Sequence, residues 1–190
     1  MHKEHIIKEI LAIELKMFQA VNPGNPSPCQ LDPDGFRISR QAQFQAWSIE
    51  TLASYNNDLE TALQEGRNVL AEKYLRMEGK MEPRSQTRII DEVVKINVAW
   101  QMETANRYPR LIHQGRPITG EEGSTITSFQ TYLRGELETY SDLTLSNLLK
   151  DLTESIALKE NMTETIYKEM VKGYGYLSLE EAEESIRKGS

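Results

Sequence analysis

The sequence predicts an all-α fold, a helical bundle, and three observations carry that reading. Apolar residues recur at helical spacing through nearly every segment. Those segments are punctuated by Pro- and Gly-rich stretches, and no strand of convincing length intervenes. The order helix, loop, long helix, short helix also occurs twice, which predicts one helical domain over residues 1–190 built from two similar halves.

Residues 3–21 place Ile7, Ile10, Leu11, Met17, Phe18 and Val21 on one helical face, with Glu14 inside that stripe. Asn22-Pro23-Gly24 stops this helix. The loop that follows holds four prolines from Pro23 to Pro33, along with Cys29 and Gln30, and is expected to be non-helical because proline removes a backbone donor. Phe36–Gln64 reads as one long helix carrying Phe44, Trp47, Leu52, Tyr55, Leu59 and Leu63, with Arg40 and Gln43 one turn before Trp47. Gly66 is a C-terminal breaker. Asn68–Met77 is a short helix with Leu70, Tyr74 and Met77 inward, and Glu78–Arg84 is a linker.

Thr87–Tyr108 is the next amphipathic helix, its stripe of Ile89, Ile90, Val93, Val94, Ile96 and Trp100 interrupted by Asn97, and Pro109 ends it. A second loop carries Gly115-Arg116-Pro117, a turn that could present an arginine at a pocket mouth. The central helix starts near Thr127. Phe129, Leu133, Leu137 and Tyr140 form its stripe, Glu136 falls within that stripe, Arg134 lies on its flank and Tyr132 at its edge. The pattern continues through Ile156, with a break near Gly135 or Ser141. Asn161–Val171, a turn at 173–176 and a capped acidic helix over 178–187 complete the chain, the last a solvated face or partner contact.

Ile6-Ile7-Lys8-Glu9 recurs as Ile89-Ile90-Asp91-Glu92, placing Glu14 on Asn97 and Met17 on Trp100. Beyond the longer second loop, Phe36 falls on Phe129, Gln43 on Glu136, Trp47 on Tyr140, Ser48 on Ser141, Asp58 on Asp151, Asn68 on Asn161 and Tyr74 on Tyr167. The halves are therefore about 3–82 and 85–173. Paired about a pseudo-twofold axis, they would gather Glu14, Asn97, Gln43 and Glu136.

A charge beside an apolar stripe needs a partner, because burying it alone costs several kcal/mol. The set Glu14, Arg40, Gln43, Trp47, Asn97, Trp100, Gln101, Tyr132, Arg134, Glu136 and Tyr140, with Arg116, supports three readings. In one it is a satisfied structural network, as in a structural or dimerising adaptor. In another it lines a pocket between the halves for a small anionic or aromatic ligand, arginines taking the anion and rings stacking, as in a binding or sensor protein. In the third, Glu14 or Glu136 is an acid–base catalyst whose pKa burial raises toward neutrality. Cys29 is a weak candidate nucleophile with no histidine base near it.

His2, His5 and His113 are scattered, no Glu-x-x-His pair occurs, and no metal site is expected. Neither a P-loop nor a dinucleotide-binding glycine fingerprint is present, so no cofactor can be named. A net charge of −7 argues against nucleic acid as partner. A single cysteine points to a reducing compartment, and with no signal-like or membrane-spanning apolar run the cytoplasm is expected. A homodimer is a further candidate assembly.

The chain resembles the bacterial domain-of-unknown-function family 4125 over nearly its whole length. The likeness rests on Cys29-Gln30, Phe36, Gln43-Phe44 with Trp47, Glu65-Gly66-Arg67-Asn68, Glu72-Lys73-Tyr74 and Arg76-Met77. It continues at Val98-Ala99-Trp100, Tyr108-Pro109 and Gly115-Arg116-Pro117, and is most specific over 127–141, Thr-Ser-Phe through Tyr-Leu-Arg-Gly-Glu-Leu to Thr-Tyr-Ser. The linker at Glu78–Arg84 is shorter than the resemblance implies. It implies a shared fold unit and supplies no reaction, substrate or site residues.

Overall fold

Side-chain caps set where most of the helices begin. The computed structural model describes residues 2–22, 24, 28–82, 87–120 and 126–189, the side chains of Pro28, Cys29, Thr87 and Gly189 aside. All regular structure among these residues is helical: α1 (Lys3–Gln19), a 3-10 turn (Pro28–Leu31), α2 (Pro33–Gln45), α3 (Ile49–Gln64), α4 (Val69–Met77), α5 (Thr87–Arg107), α6 (Pro109–His113), α7 (Phe129–Leu137), α8 (Asp142–Ala157), α9 (Met162–Gly173) and α10 (Leu179–Gly189).

Several boundaries differ from the periodicity reading, each for a local reason. The long helix expected over Phe36–Gln64 is two helices. Ala46 and Trp47 close α2, and the Ser48 hydroxyl accepts from the Thr51 N–H to start α3 in a new direction. The central helix does break near Ser141, one of the two positions expected, and Ser141 caps α8 through the Thr144 N–H. Gly135 is inside α7 because α4 passes close by: a Cβ there would lie 3.2 Å from the Lys73 carbonyl oxygen. Pro109 does not merely end α5. It is the first residue of α6, where its missing N–H costs nothing. Likewise Pro33 opens α2 behind an Asp32 cap, and the proline loop contains a turn of 3-10 helix. Pro23, Pro26 and the end of the Glu78–Arg84 linker fall outside the described residues. Gly66, at φ +68°, closes α3 as expected, with the Arg67 N–H bonding back to the Ala62 carbonyl.

α1 packs against α2, α3 and α4, and α5 packs against α7, α8 and α9. Between these groups α3 meets α8, α4 meets α7, and α2 meets α9. A continuous core is drawn from all eight, with Ile10, Phe44, Leu52, Leu59, Val93, Leu145 and Leu152 at its centre. A smaller cluster of Tyr108, Val171, Leu179 and Ala182 seats α10.

Hydrogen bonds cross the seam in matched form. Asp151 accepts from the Ser48 N–H (2.9 Å) and the Thr51 hydroxyl (2.6 Å). Asp58 accepts from the Ser141 N–H (2.9 Å) and the Thr144 hydroxyl (2.7 Å). Inside each group of helices, the Asn68 amide that caps α4 donates to the Met17 carbonyl, and the Asn161 amide that caps α9 donates to the Trp100 carbonyl. No helix of the described residues is long and apolar enough to cross a membrane.

Candidate functional site

Where α1, α2, α4 and α7 converge, the core holds four buried charges. Glu14 interrupts the apolar face of α1 and has no exposed surface. Arg40 reaches it from α2 with both edges of the fork, Nε to Oε2 at 2.8 Å and Nη2 to Oε1 at 2.5 Å. The remaining terminal nitrogen, Nη1, donates to Glu136 of α7 at 2.8 Å and to the Gln43 side-chain carbonyl at 2.7 Å. Lys73 of α4 donates to the other Glu136 oxygen at 2.5 Å. The Tyr55 and Tyr140 hydroxyls donate to Glu14 (2.6 Å) and Glu136 (2.7 Å). Every carboxylate oxygen thus holds at least one donor, and two cations balance two anions.

Aromatic rings enclose the cluster. Tyr55 and Tyr140 lie 4.8 Å apart, Trp47 meets both edge-on, and Arg40 stands over the Phe44 ring. The Lys73 ammonium lies 3.3 Å from the centre of the Tyr132 ring, over which the exposed Arg116 also extends.

Burial alone would push the Glu136 carboxyl up, as the acid–base reading expects. The Arg40 and Lys73 charges, with hydrogen bonds from Lys73 and Tyr140, outweigh it and hold the group well below the usual carboxylate range. Burial pulls Arg40 down, yet Glu136 and Glu14 hold it well above its ordinary value. Burial and the adjacent carboxylates keep both tyrosines protonated far into alkali. These are fixed ions and fixed donors, suited to holding position more than to passing a proton near neutrality.

Glu14, Arg40, Gln43, Glu136 and Tyr140 are brought together as the sequence suggests, with Trp47 and Tyr132 against them. Asn97 is not. Its amide turns back to the Val93 carbonyl of its own helix. Trp100 packs on the core, and Gln101 donates to the Tyr167 hydroxyl. Arg134 pairs with Asp91 at the surface, and Arg116 donates to the Thr127 carbonyl. Cys29 lies in the 3-10 turn, and its side chain is outside the described residues. Lys73 and Tyr55 complete the cluster beyond the residues expected. Lys73 shares the inward face of Leu70, Tyr74 and Met77 at i, i+3, i+4 spacing, a legible signal, and Tyr55 sits in an apolar stripe although a buried hydroxyl requires a partner.

Beside the cluster lies an open groove of about 480 Å³, bordered by α3, α4 and the turn between α7 and α8. Arg67, Arg76, Glu65, Glu72 and Thr139 line it. The Arg76 side chain is only 6% exposed, and its Nε finds no hydrogen-bond acceptor among the described residues. A second hollow of about 310 Å³ lies between α5 and α7, walled by Val94, Val98 and Met102. Among the described residues no three His, Cys, Asp or Glu side chains gather to hold a metal ion.

The family described as "Protein of unknown function (DUF4125)" matches residues 4–184. The chain belongs to that family. No curated protein and no solved structure matches it. Membership in DUF4125 agrees with the helical unit read from the sequence and assigns no chemistry to the buried cluster or to the groove.

Proposed function

We propose that this DUF4125 protein binds a small polar ligand at the seam between two helical halves related by a pseudo-twofold axis. The ligand sits in the open groove, and the buried ionic cluster is the frame that holds the groove's walls. The observation that carries this reading is Arg76: a guanidinium lining the groove, nearly buried, with Nε lacking an acceptor among the described residues. A guanidinium held in a groove wall offers charge-assisted hydrogen bonds to a carboxylate or phosphate on a ligand. The volume lies within the roughly 300–1,000 Å³ of small-molecule sites. The frame is next door in the chain: Lys73 stands one turn before Arg76 on α4, and Glu136 one turn before Thr139.

The twofold relation is supported by the matched packing of α1 and α5 with their neighbours and by the reciprocal Asp58 and Asp151 bonds. A reducing, cytoplasmic setting goes with the reading, on the strength of one cysteine in 190 residues.

A second reading, the structural or dimerising adaptor, draws support from the saturation of the Glu14–Arg40–Glu136–Lys73 cluster. Native mass spectrometry of freshly purified protein separates the two. A retained small mass, lost on mild activation, is expected for the binding protein. A bare mass, together with no thermal stabilisation by a broad metabolite panel, refutes it, and a bare dimer favours the adaptor.

A further inference from the structure

The hollow between α5 and α7 shares no residue with the groove, and its chemistry is different. Val94, 3% exposed, lies deepest in it. Val98 and Ala99 carry the apolar wall along α5 to Met102, which is 44% exposed. A single methionine on a surface is ordinary, but this one continues a concave apolar wall about 310 Å³ in extent.

Charge collects toward the other end of the same stretch of α5. Asp91 and Lys95 stand one turn apart, the spacing at which a helix ordinarily forms an ion pair. They do not pair. Asp91 accepts instead from Arg134 Nη2 of α7. Neither Nε nor Nη1 of Arg134 has a hydrogen-bond partner among the described residues, and Lys95 makes no ion pair among them, with Asp91 or with Glu92. Two cations on the rim therefore meet one carboxylate, and both keep donors open.

We infer that the hollow takes a small amphiphilic carboxylate, the anion of a medium-chain fatty acid. Its alkyl chain lies along Val98 and Met102, and its carboxylate accepts from Lys95 and Arg134. About two turns of α5, roughly 10 Å, separate Lys95 from Met102. An extended chain of roughly eight carbons spans that length, at about 1.5 Å per carbon–carbon bond. The unbranched thioether of Met102 can shift to cover the end of such a chain. An inorganic anion would leave the apolar wall in water, and an alkylammonium would bring like charge to Lys95.

Isothermal titration of the full chain with butyrate, hexanoate, octanoate, octylamine and octanol tests this. Octanoate is expected to bind tightest, with affinity rising about two- to four-fold per methylene from butyrate upward. Octylamine should bind about ten-fold more weakly than octanoate or worse, the value of one charge-assisted contact. Lys95 and Met102 are exposed, so their variants keep the fold. Lys95→Gln should weaken octanoate about three- to ten-fold and leave octanol unchanged. Met102→Asp should flatten the dependence on chain length. Octylamine binding as tightly as octanoate, octanoate binding that Lys95→Gln does not move, or no octanoate binding at all overturns the assignment. Self-association in sedimentation that Met102→Asp abolishes, without octanoate binding, gives the hollow to a second copy of the chain and overturns it as well. Because none of these residues borders the groove, the two ligand sites stand or fall separately.

Discussion

Glu136→Gln isolates the energetic role of the buried cluster. The wild-type charges sum to zero as two coupled pairs, Arg40 with Glu14 and Lys73 with Glu136. The substitution keeps the shape of the side chain and removes one anion. Arg40 retains its two bonds to Glu14, while Lys73, 3% exposed, is left with no carboxylate. Removing one partner of a buried pair typically costs about 3–5 kcal/mol, because the other charge remains out of water. For a chain of this size that is a fall in Tm of roughly 6–20 °C. Urea unfolding followed by the fluorescence of Trp47 and Trp100 measures it as a shift in midpoint at constant slope. The double variant Glu136→Gln/Lys73→Met leaves the Arg40–Glu14 pair intact and no unpaired charge. It should be more stable than Glu136→Gln alone, with a coupling of about 2 kcal/mol. A single-variant loss below about 1 kcal/mol, the range of an exposed ion pair such as Arg134 with Asp91, would refute the claim that these ions are held out of solvent by the core.

Three further outcomes follow from the same structure. The folded Glu136 carboxyl is held below its unfolded value, about 4.3, so the unfolded chain binds the extra proton; stability is full above that pH and falls as pH drops through the folded value, and urea midpoints from about pH 6 to 3 should show an acid limb that is shallower in Glu136→Gln. Asp58→Asn and Asp151→Asn each weaken a backbone and a hydroxyl contact across the seam and should cost about 1–3 kcal/mol apiece by denaturant titration; a large loss from one and none from the other would contradict equivalent roles for the two halves. Gly135→Ala puts a Cβ 2.6 Å from Met77 Cγ and 3.2 Å from the Lys73 carbonyl, and should destabilise by about 1–2 kcal/mol despite the better helix propensity of alanine; a gain in Tm would show that α4 and α7 can separate freely there.

Part of the buried cluster is legible in the sequence. Glu14 and Glu136 stand where an apolar residue is due, so burial and a partner were implied, and Arg40 supplied that partner. Lys73 shares a face with Leu70 and Met77, but a lysine on a short helix is ordinarily solvated, and spacing alone does not set it apart from a surface residue. Asn97 satisfied the same rule as Glu14 and led elsewhere. An amide can return to its own helix's carbonyl, whereas a carboxylate accepts only and must find a donor outside. The groove left no trace in the sequence. Arg67, Glu72 and Arg76 read as an ordinary charged helix face, and only the packing of α3 and the α7–α8 turn around them made a concavity.

Local pattern is enough to make the chain helical and to set Glu14 and Glu136 among apolar residues, because periodicity, proline, glycine and the Ser, Thr and Asn caps act over a few residues. Only the packing of the helices sets Arg40 between Glu14 and Glu136, brings Lys73 onto the cluster, and leaves Arg76 Nε without an acceptor among the described residues. Those pairings join residues as many as 96 positions apart. Their distances depend on how α4 and α7 approach, which no local pattern encodes.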